Sequence, residues 1–293
     1  MSANDRNGCA LADVVVTGTG AVCGACDAGP YLRIRKLRKF MGKQDALAVV
    51  AAARAVGACG LVAPLGERCG LYAAVGYIPF ETADINRLLD ASLDREAFSM
   101  ERFAANAFGA INPLLTFRVL PNMPAFHVSL NLDIQGPYAV SYPGIGQFYS
   151  VLEEGIAAIE SGLIDIALVG AVADQRNFLV EHHFSRIAPP VEPDRLADGA
   201  AFIVIERRAD AIARGATPRA RLLDYRLDYS PVDPFAGCVP SECLARDGVC
   251  VKGFRELGPA TLAVALAETE RGRVTHSVRT RDGFSADSVW EVT

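Results

Sequence analysis

Few side chains in this sequence could do chemistry, and their spacing narrows what that chemistry could be. The candidate bases near neutral pH are His127, His182, His183 and His276. His127 falls in a helical stretch and reads as a satisfied core or interface group, while His182-His183 reads as a surface pair in a loop. Cys23-Gly24-Ala25-Cys26 has the spacing of a metal or redox pair. A zinc site needs two further ligands at matching spacing, and Cys238, Cys243 and Cys250 are irregularly placed. No metal is expected, and the eight cysteines read mostly as buried thiols acting as small apolar groups. Gly18-Thr19-Gly20 would suit close approach of a phosphate, yet the third glycine of a dinucleotide turn is missing. Cys23 stands in its place, with Gly24 one position late. That leaves a tight turn, and no cofactor is expected. No Gly-x-Ser-x-Gly is present for a serine hydrolase. Ser141 lies in a short strand, where a hydroxyl usually bonds to backbone.

The elements that carry these residues alternate between buried strands and helices. Asp13-Val14-Val15-Val16-Thr17 is a β-branched run. Asp45 to Val56 is an alanine-rich buried helix that Gly57 can cap. Leu71 to Gly76 reads as a second strand, and Thr82 to Phe108 as helix with acidic and basic faces. Ile111 to Leu120 is a connecting segment. The next helix opens on Pro121-Asn122-Met123-Pro124, proline being tolerated in a first turn. Phe148, Val151, Leu152, Ile156 and Ile159 fall at helical spacing and run up to Gly162. Ile164 to Val169 and Ala201 to Ile205 are apolar enough for a doubly covered central sheet. A helix from Arg207 to Arg214 stops at Gly215, and the last long helix lies within Phe254 to Glu270. This alternation indicates an α/β fold in layers.

Composition bounds the rest. The 293 residues can bury a large core, and 51% apolar against 22% charged residues excludes disorder. A net charge of −5 makes nucleic acid a poor partner. No uncharged apolar run reaches the length of a membrane span. The start, Met1-Ser2-Ala3-Asn4-Asp5-Arg6, lacks the basic and apolar regions of a signal peptide. Together these point to the cytoplasm.

One stretch resembles a known family. Gly136-Pro137-Tyr138-Ala139-Val140-Ser141-Tyr142-Pro143-Gly144-Ile145-Gly146-Gln147-Phe148 leads into a helix and then Ile164-Asp165-Ile166-Ala167-Leu168-Val169-Gly170. This is similar to the β-ketoacyl synthases, in which Gly-Pro and a short strand precede a cysteine at the tip of a buried helix. Nine residues on from Gly136, where that family places its cysteine, stands Ile145. Val14-Val15-Val16-Thr17-Gly18, Ile111-Asn112-Pro113, Pro121-Asn122-Met123, His127-Val128-Ser129, Asp198-Gly199-Ala200-Ala201 and Ala211 to Ala216 follow the family order. The resemblance covers residues 11 to 220. It implies a thiolase-like layered αβαβα fold of two related halves, usually dimeric. The whole chain, 1–293, reads as one such domain, with 11–206 as the amino-terminal half and 207–293 as a shortened carboxyl-terminal half.

The later part departs from the family. Its two catalytic histidines, in His-Gly-Thr and in Gly-His after a lysine, have no counterpart, although Lys252 to Leu257 resembles the lysine segment. Gly283-Phe284 resembles the gating loop. A Claisen condensation needs a thiolate and groups that stabilise enolate and oxyanion, so the resemblance implies a non-catalytic partner. The nearest type is the chain-length factor of a type II polyketide ketosynthase, in a compact form such as those of polyene-making systems. It would pair with a catalytic ketosynthase subunit that works with an acyl carrier protein, and it would shape the acyl tunnel. The tunnel and interface candidates implied are Tyr77, Ile78, Phe80, Leu114, Leu115, Thr116, Phe117, His127 and Gln147. Gln147 lies two residues beyond Ile145, and packing is its favoured role. Arg33, Arg35, Lys36, Arg38, Lys39 and Lys43 form a charge run, either a carrier-protein contact or a solvated face. Two alternatives stand beside this reading. One is a decarboxylating or atypical acyltransferase enzyme using another residue, such as Ser141 or Cys238; the other is an acyl-binding homodimer.

Overall fold

A computed structural model describes residues 14–78, 80–186, 190–230, 241–280 and 283–293, without the side chain of Thr116. Strand β1 (Val14–Cys23) leads through helix α1 (Lys43–Ala58) to β2 (Cys69–Val75). An arm follows, built from α2 (Thr82–Ser92), a small hairpin of β3 (Leu93–Asp94) and β4 (Ala97–Phe98), and the short turns α3 (Met100–Arg102) and α4 (Phe108–Ala110). A π-helical turn, Phe103–Ala107, joins α3 to α4. Next come α5 (Leu115–Val119), α6 (Met123–Leu132), β5 (Tyr138–Ser141), α7 (Gln147–Glu160), β6 (Ile166–Ala173), α8 (Phe178–Arg186), β7 (Gly199–Arg207) and α9 (Arg208–Ala213). The chain finishes with β8 (Ala220–Tyr229), β9 (Ser241–Arg246), β10 (Val249–Cys250), α10 (Thr261–Glu268), β11 (Gly272–Arg279) and β12 (Phe284–Val292).

Strand residues of period two sort themselves between two cores. The amino-terminal strands stand in the order β5-β2-β6-β7-β1, with β2 parallel to both β5 and β6, and β7 antiparallel to β6 and β1. On β7, Ala200, Phe202 and Val204 face the core shared with α1 and α6. Ala201, Ile203 and Ile205 face the core shared with α7, α10 and the second sheet. Both faces are covered, which explains the near-continuous apolar runs. Through two pairs, Val15↔Arg221 and Val16↔Ala220, the same hydrogen-bonded sheet of ten strands continues into β8-β12-β11-β9-β10, antiparallel throughout and called the second sheet below.

Leu222, Leu244, Val274, Val278, Ala286, Trp290 and Val292 point inward and are buried. Among the described residues no helix covers the other face of this sheet, where Arg273, Asp224, Arg226 and Glu291 are exposed or half-buried. Among the described residues the layers therefore run helices, sheet, helices, sheet, with no fifth layer.

Three local expectations need correction. Gly18-Thr19-Gly20 is not a turn: β1 runs straight through it to Cys23. A Cβ on Gly18 would lie 2.2 Å from the Ala55 carbonyl oxygen, and one on Gly20 2.3 Å from that of Ala51. These glycines let the backbone of α1 lie on the strand. The stretch from Thr82 to Phe108 is interrupted by the β3–β4 hairpin, where Arg95 and Glu96 adopt positive φ. The segment from Ile111 to Leu120 contains α5.

Buried polar groups pin the elements. The Thr17 hydroxyl donates to Glu206, and Arg214 donates from Nε to Glu206 Oε2 at 2.8 Å and from Nη1 to the Cys59 carbonyl at 2.9 Å. That cluster ties β1, β7, α1 and α9 together. Asp45 caps α1 by accepting the Gly42 N–H at 2.7 Å. His127 is fully buried as a core group, but it is not satisfied: neither ring nitrogen has a hydrogen-bond partner among the described residues, and Asp45 Oδ2 lies 3.9 Å from Nε2. Burial pushes the Asp45 carboxyl up to about 8, against the Gly42 N–H, and pushes His127 down to about 4. Both are neutral at pH 7.

Two outcomes follow for stability. Gly20→Ala should cost about 1–3 kcal/mol through overpacking against α1, read as a lower urea midpoint. For Asp45 the unfolded chain ionises near 3.8 and the native chain near 8, so native stability falls as pH rises between them. Buried neutral His127 acts the opposite way below about 6.5. Asp45→Asn keeps a cap acceptor and cannot ionise. Its stability advantage over the native chain should grow by about 1–2 kcal/mol from pH 6.5 to 8; a constant difference across that range would refute a neutral Asp45.

Candidate functional site

Open α/β sheets place their crevice beyond the carboxyl ends of the parallel strands. Here β2 leads into Gly76-Tyr77, β5 leads into Pro143 to Gly146, and β6 leads to Gln175. All of them line one cavity of about 330 Å³. The opposite wall comes from the second sheet and its helix: Ser241 and Glu242 at the start of β9, Glu256, Gly258 and Pro259 before α10, and Thr280 and Phe284 at the β11–β12 turn. His183 and Phe184 of α8 close the side with Val191.

The turn into α7 brings Ile145 to this cavity, half-buried between two glycines. Gly144 has φ 128°, a conformation that a side chain would strain. Gly146 lies under the Phe284 ring, which a Cβ there would meet at 2.5 Å. The backbone thus presents a side chain at a helix tip, and the side chain presented is a hydrocarbon. The tip of α10 likewise offers Gly258 and Pro259, not a histidine.

Behind the far wall runs a chain of buried hydrogen bonds. Trp290 Nε1 donates to Ser288 Oγ at 3.0 Å, and the Tyr149 hydroxyl lies 2.8 Å from both Ser288 Oγ and His276 Nδ1. His276 Nε2 stands 2.9 Å from Glu242 Oε1. One assignment satisfies every member: Ser288 donates to Tyr149, Tyr149 to His276 Nδ1, and His276 Nε2–H to Glu242. Burial pushes the Tyr149 phenol upward and keeps it protonated. The chain ends at Glu242, whose Oε2 is buried and has no partner among the described residues.

Glu256 is the second acid of the cavity. Burial first, and then the neighbouring Glu242 charge, push its carboxyl up to about 8, so it is neutral at pH 7. Gln175 is 1% exposed. Its Nε2 and Oε1 also lack partners among the described residues. Its position is set from below: Asp198 accepts the Gln175 N–H at 3.0 Å and the Arg176 N–H at 2.9 Å, and pairs with Lys43 at 2.7 Å. Lys43 also holds Asp174 at 3.0 Å.

The implied tunnel residues do not form one set. Tyr77, Ile145, Gln147 and Phe284 line the cavity just described; Gln147, expected to pack, opens α7 there and is half-buried. Ile78 borders a small cleft beside Asp45 and Pro124. Phe80 and Leu115 line a separate cavity of about 430 Å³ with Lys43 and Asp174. Leu114 is half-buried and makes a backbone bond to Asn112 Oδ1 at 3.0 Å. Phe117 is exposed and packs edge-to-face on Phe40. His127 sits under α1, away from either cavity lining. Gly283 precedes Phe284, which begins β12, and the Thr116 side chain lies outside the described set.

Other expectations move as well. His182 and His183 lie in helix α8, not a loop, and His183 faces the cavity with Tyr77 Oη 3.3 Å from its Nε2. Cys59 and Cys69 are buried and Cys23 and Cys26 half-buried, but Cys243 and Cys250 are exposed, with their Sγ atoms 3.6 Å apart. Cys9 and Cys238 fall outside the described residues. Of the basic run, Arg33 pairs with Asp133, Arg38 with Asp27, and Lys43 as above. Sequence reasoning missed Glu242, Glu256 and Gln175, and named His276 among the candidate bases without placing it. Period two offered one clue, since Val274, His276 and Val278 share a strand face.

Solved structures of the same shape are ketosynthases. Matching over 96% of this chain and 99% of the other, at TM-score 0.70 and 15% identity, is a chain from a type II polyketide synthase acyl-carrier protein in complex with its ketosynthase bound to the hexaketide. The ishigamide ketosynthase/chain length factor matches over 74% of this chain and 64% of its own, at TM-score 0.58 and 24% identity. A β-ketoacyl synthase from Burkholderia phymatum matches over 96% and 99%, at TM-score 0.64 and 15% identity. The fold is that of the ketosynthases. No family model and no curated protein matches the sequence. At these identities the likeness is one of fold. Among the described residues, no helix is long and apolar enough to cross a membrane, and no group of three His, Cys, Asp or Glu is placed to hold a metal.

Tyr149→Phe tests the buried chain. It leaves His276 Nδ1 and Ser288 short of a partner and should cost about 1–3 kcal/mol in urea unfolding; an unchanged midpoint would mean the bonds contribute nothing.

Proposed function

We propose that this chain is the non-catalytic, chain-length-factor-like partner of a catalytic ketosynthase. In that role it would help to shape the space that a growing acyl chain enters in type II polyketide assembly. The observation that carries this is Ile145 at the helix tip: the backbone of a nucleophile turn is intact and its side chain cannot accept an acyl group. A neighbour described as a ketosynthase/chain length factor supports the same reading.

The surface offers a place for a partner. Strand β5 is the edge of the sheet, with Tyr138 70% exposed, and an exposed edge is a template for pairing with another chain. Phe126 on α6, Phe117 on α5, and Phe98, Met100 and Phe108 on the arm are exposed too. Large apolar side chains gathered on such elements mark interaction surfaces. Leu115 and Phe80, in the second cavity, are the residues whose bulk would limit an entering chain.

A cysteine-bearing ketosynthase coexpressed with this chain should copurify as a heterodimer. Tyr138→Arg and Phe126→Asp should weaken that complex at least about tenfold, since charge is inserted into a desolvated contact. In the reconstituted complex, Leu115→Ala should lengthen the product, one methylene being worth about 1–3 kcal/mol in a filled pocket. Covalent acylation and turnover by the isolated chain would overturn the assignment.

A second reading, a decarboxylating or atypical acyltransferase, draws on His183, Glu242 and Glu256 in the cavity. Release of carbon dioxide from a malonyl carrier protein by the isolated chain, abolished in His183→Ala, would put it first.

A further inference from the structure

The cavity at the α7 tip has lost a nucleophile and holds an unusual set of acceptors. Glu242 Oε2, Glu256 Oε1 and both polar atoms of Gln175, Oε1 and Nε2, are buried without a partner among the described residues. All three side chains line the same space. Gln175 is 1% exposed and Glu256 7%. Buried polar groups are nearly always hydrogen-bonded, and around this cavity the orphaned oxygens outnumber the one orphaned nitrogen by three to one, which points to a ligand rich in donors. The remaining wall is largely apolar, with Ile145, Phe184, Val191, Pro259 and Phe284.

We infer that this cavity binds a protonated primary amine, its ammonium group held by Glu242, Glu256 and Gln175 and its carbon chain lying against Ile145, Phe184 and Phe284. An ammonium carries three N–H donors and no acceptor, which matches three unpaired oxygens. An alcohol has one donor and leaves two oxygens unsatisfied. A carboxylate would meet like charge, since no lysine or arginine stands among the described lining residues. A metal ion would need a third His, Cys, Asp or Glu, and none is placed for it among those residues.

The His276 bond to Glu242 fixes which oxygen is available. Oε1 is taken by the imidazole, so Oε2 is the one left to the ligand. The charged and titratable neighbours of Glu256 are Glu242 on the same wall, Arg195 from the turn before β7, and Tyr77 just after β2. In the empty cavity Glu256 keeps its proton until about pH 8. An arriving ammonium supplies the missing positive charge, so Glu256 ionises and one proton passes to solvent. Binding should therefore tighten with rising pH, by up to about tenfold per unit between pH 6 and 8.

This inference concerns one cavity of this chain and stands whether or not a ketosynthase partner is found, because complex formation and amine binding are separate readouts. The test is calorimetric titration of the full chain with hexylamine, hexanamide, 1-hexanol and hexanoate at pH 6, 7 and 8. Hexylamine alone should bind, more tightly at pH 8 than at pH 6 and with proton release seen in buffers of different ionisation enthalpy. Glu242→Gln, Glu256→Gln and Gln175→Leu should each weaken it at least about tenfold. Equal binding of hexanamide or 1-hexanol would overturn the proposal, as would hexylamine affinity unchanged in the variants or absent in the native chain. Glu256→Gln keeps the shape of the neutral acid already present. Should any variant not fold, the four ligands on the native chain decide the matter.

Discussion

Helix α7 lies between two sheets, and that constraint organises the molecule. Phe148, Tyr149, Val151, Leu152, Ile156 and Ile159 are almost wholly buried along it. Gly155 brings its backbone onto β6, where a Cβ would sit 2.9 Å from a Val169 methyl. On the other side Tyr149 reaches the second sheet through His276 and Ser288. A helix so placed cannot slide or rotate without breaking both cores, because packed interiors transmit small displacements. Its amino-terminal tip is consequently held rigid, and the cavity in front of it inherits that rigidity.

What the tip faces has changed character. Hydrocarbon replaces a reactive group at Ile145, and the polar atoms of the cavity come instead from Gln175 at one sheet end and Glu242 and Glu256 opposite. Each is supported from behind: Gln175 through Asp198 and Lys43, Glu242 through His276. The surroundings of the two acids differ: Glu242 takes an imidazole hydrogen bond, while burial first, and then the Glu242 charge, raise the Glu256 carboxyl.

The sequence showed the first half more clearly than the second. Strands covered on both faces write themselves as apolar runs, so β6 and β7 were legible, and helical spacing marked α7. The glycines at positions 18 and 20 were misread because a turn and a close helix contact demand the same small residue. The arm was misread as continuous helix because its hairpin spans four paired residues between helical stretches. In the second half β11 and β12 alternate polar and apolar positions around serine, threonine and arginine, and no strand was read there. His182 and His183 are exposed as expected, but their helix, α8, was read as a loop because it is short and polar on one side. Glu242, Glu256 and Gln175 come together only through the crossing of distant elements, which no local pattern records.

The bare face of the second sheet bears on how the chain assembles itself. Parallel strands need long crossovers, whereas antiparallel ones close with short links. In the first sheet, Thr17 meets Glu206 over a separation of 189 residues. Within the second, the widest pairing runs from Ala220 to Val292, and β11 and β12 are joined by a tight reversal. Local pairings form faster than distant ones. With no described helix on its outer face, the carboxyl-terminal unit has low contact order beside an amino-terminal unit that must wait for its ends to meet.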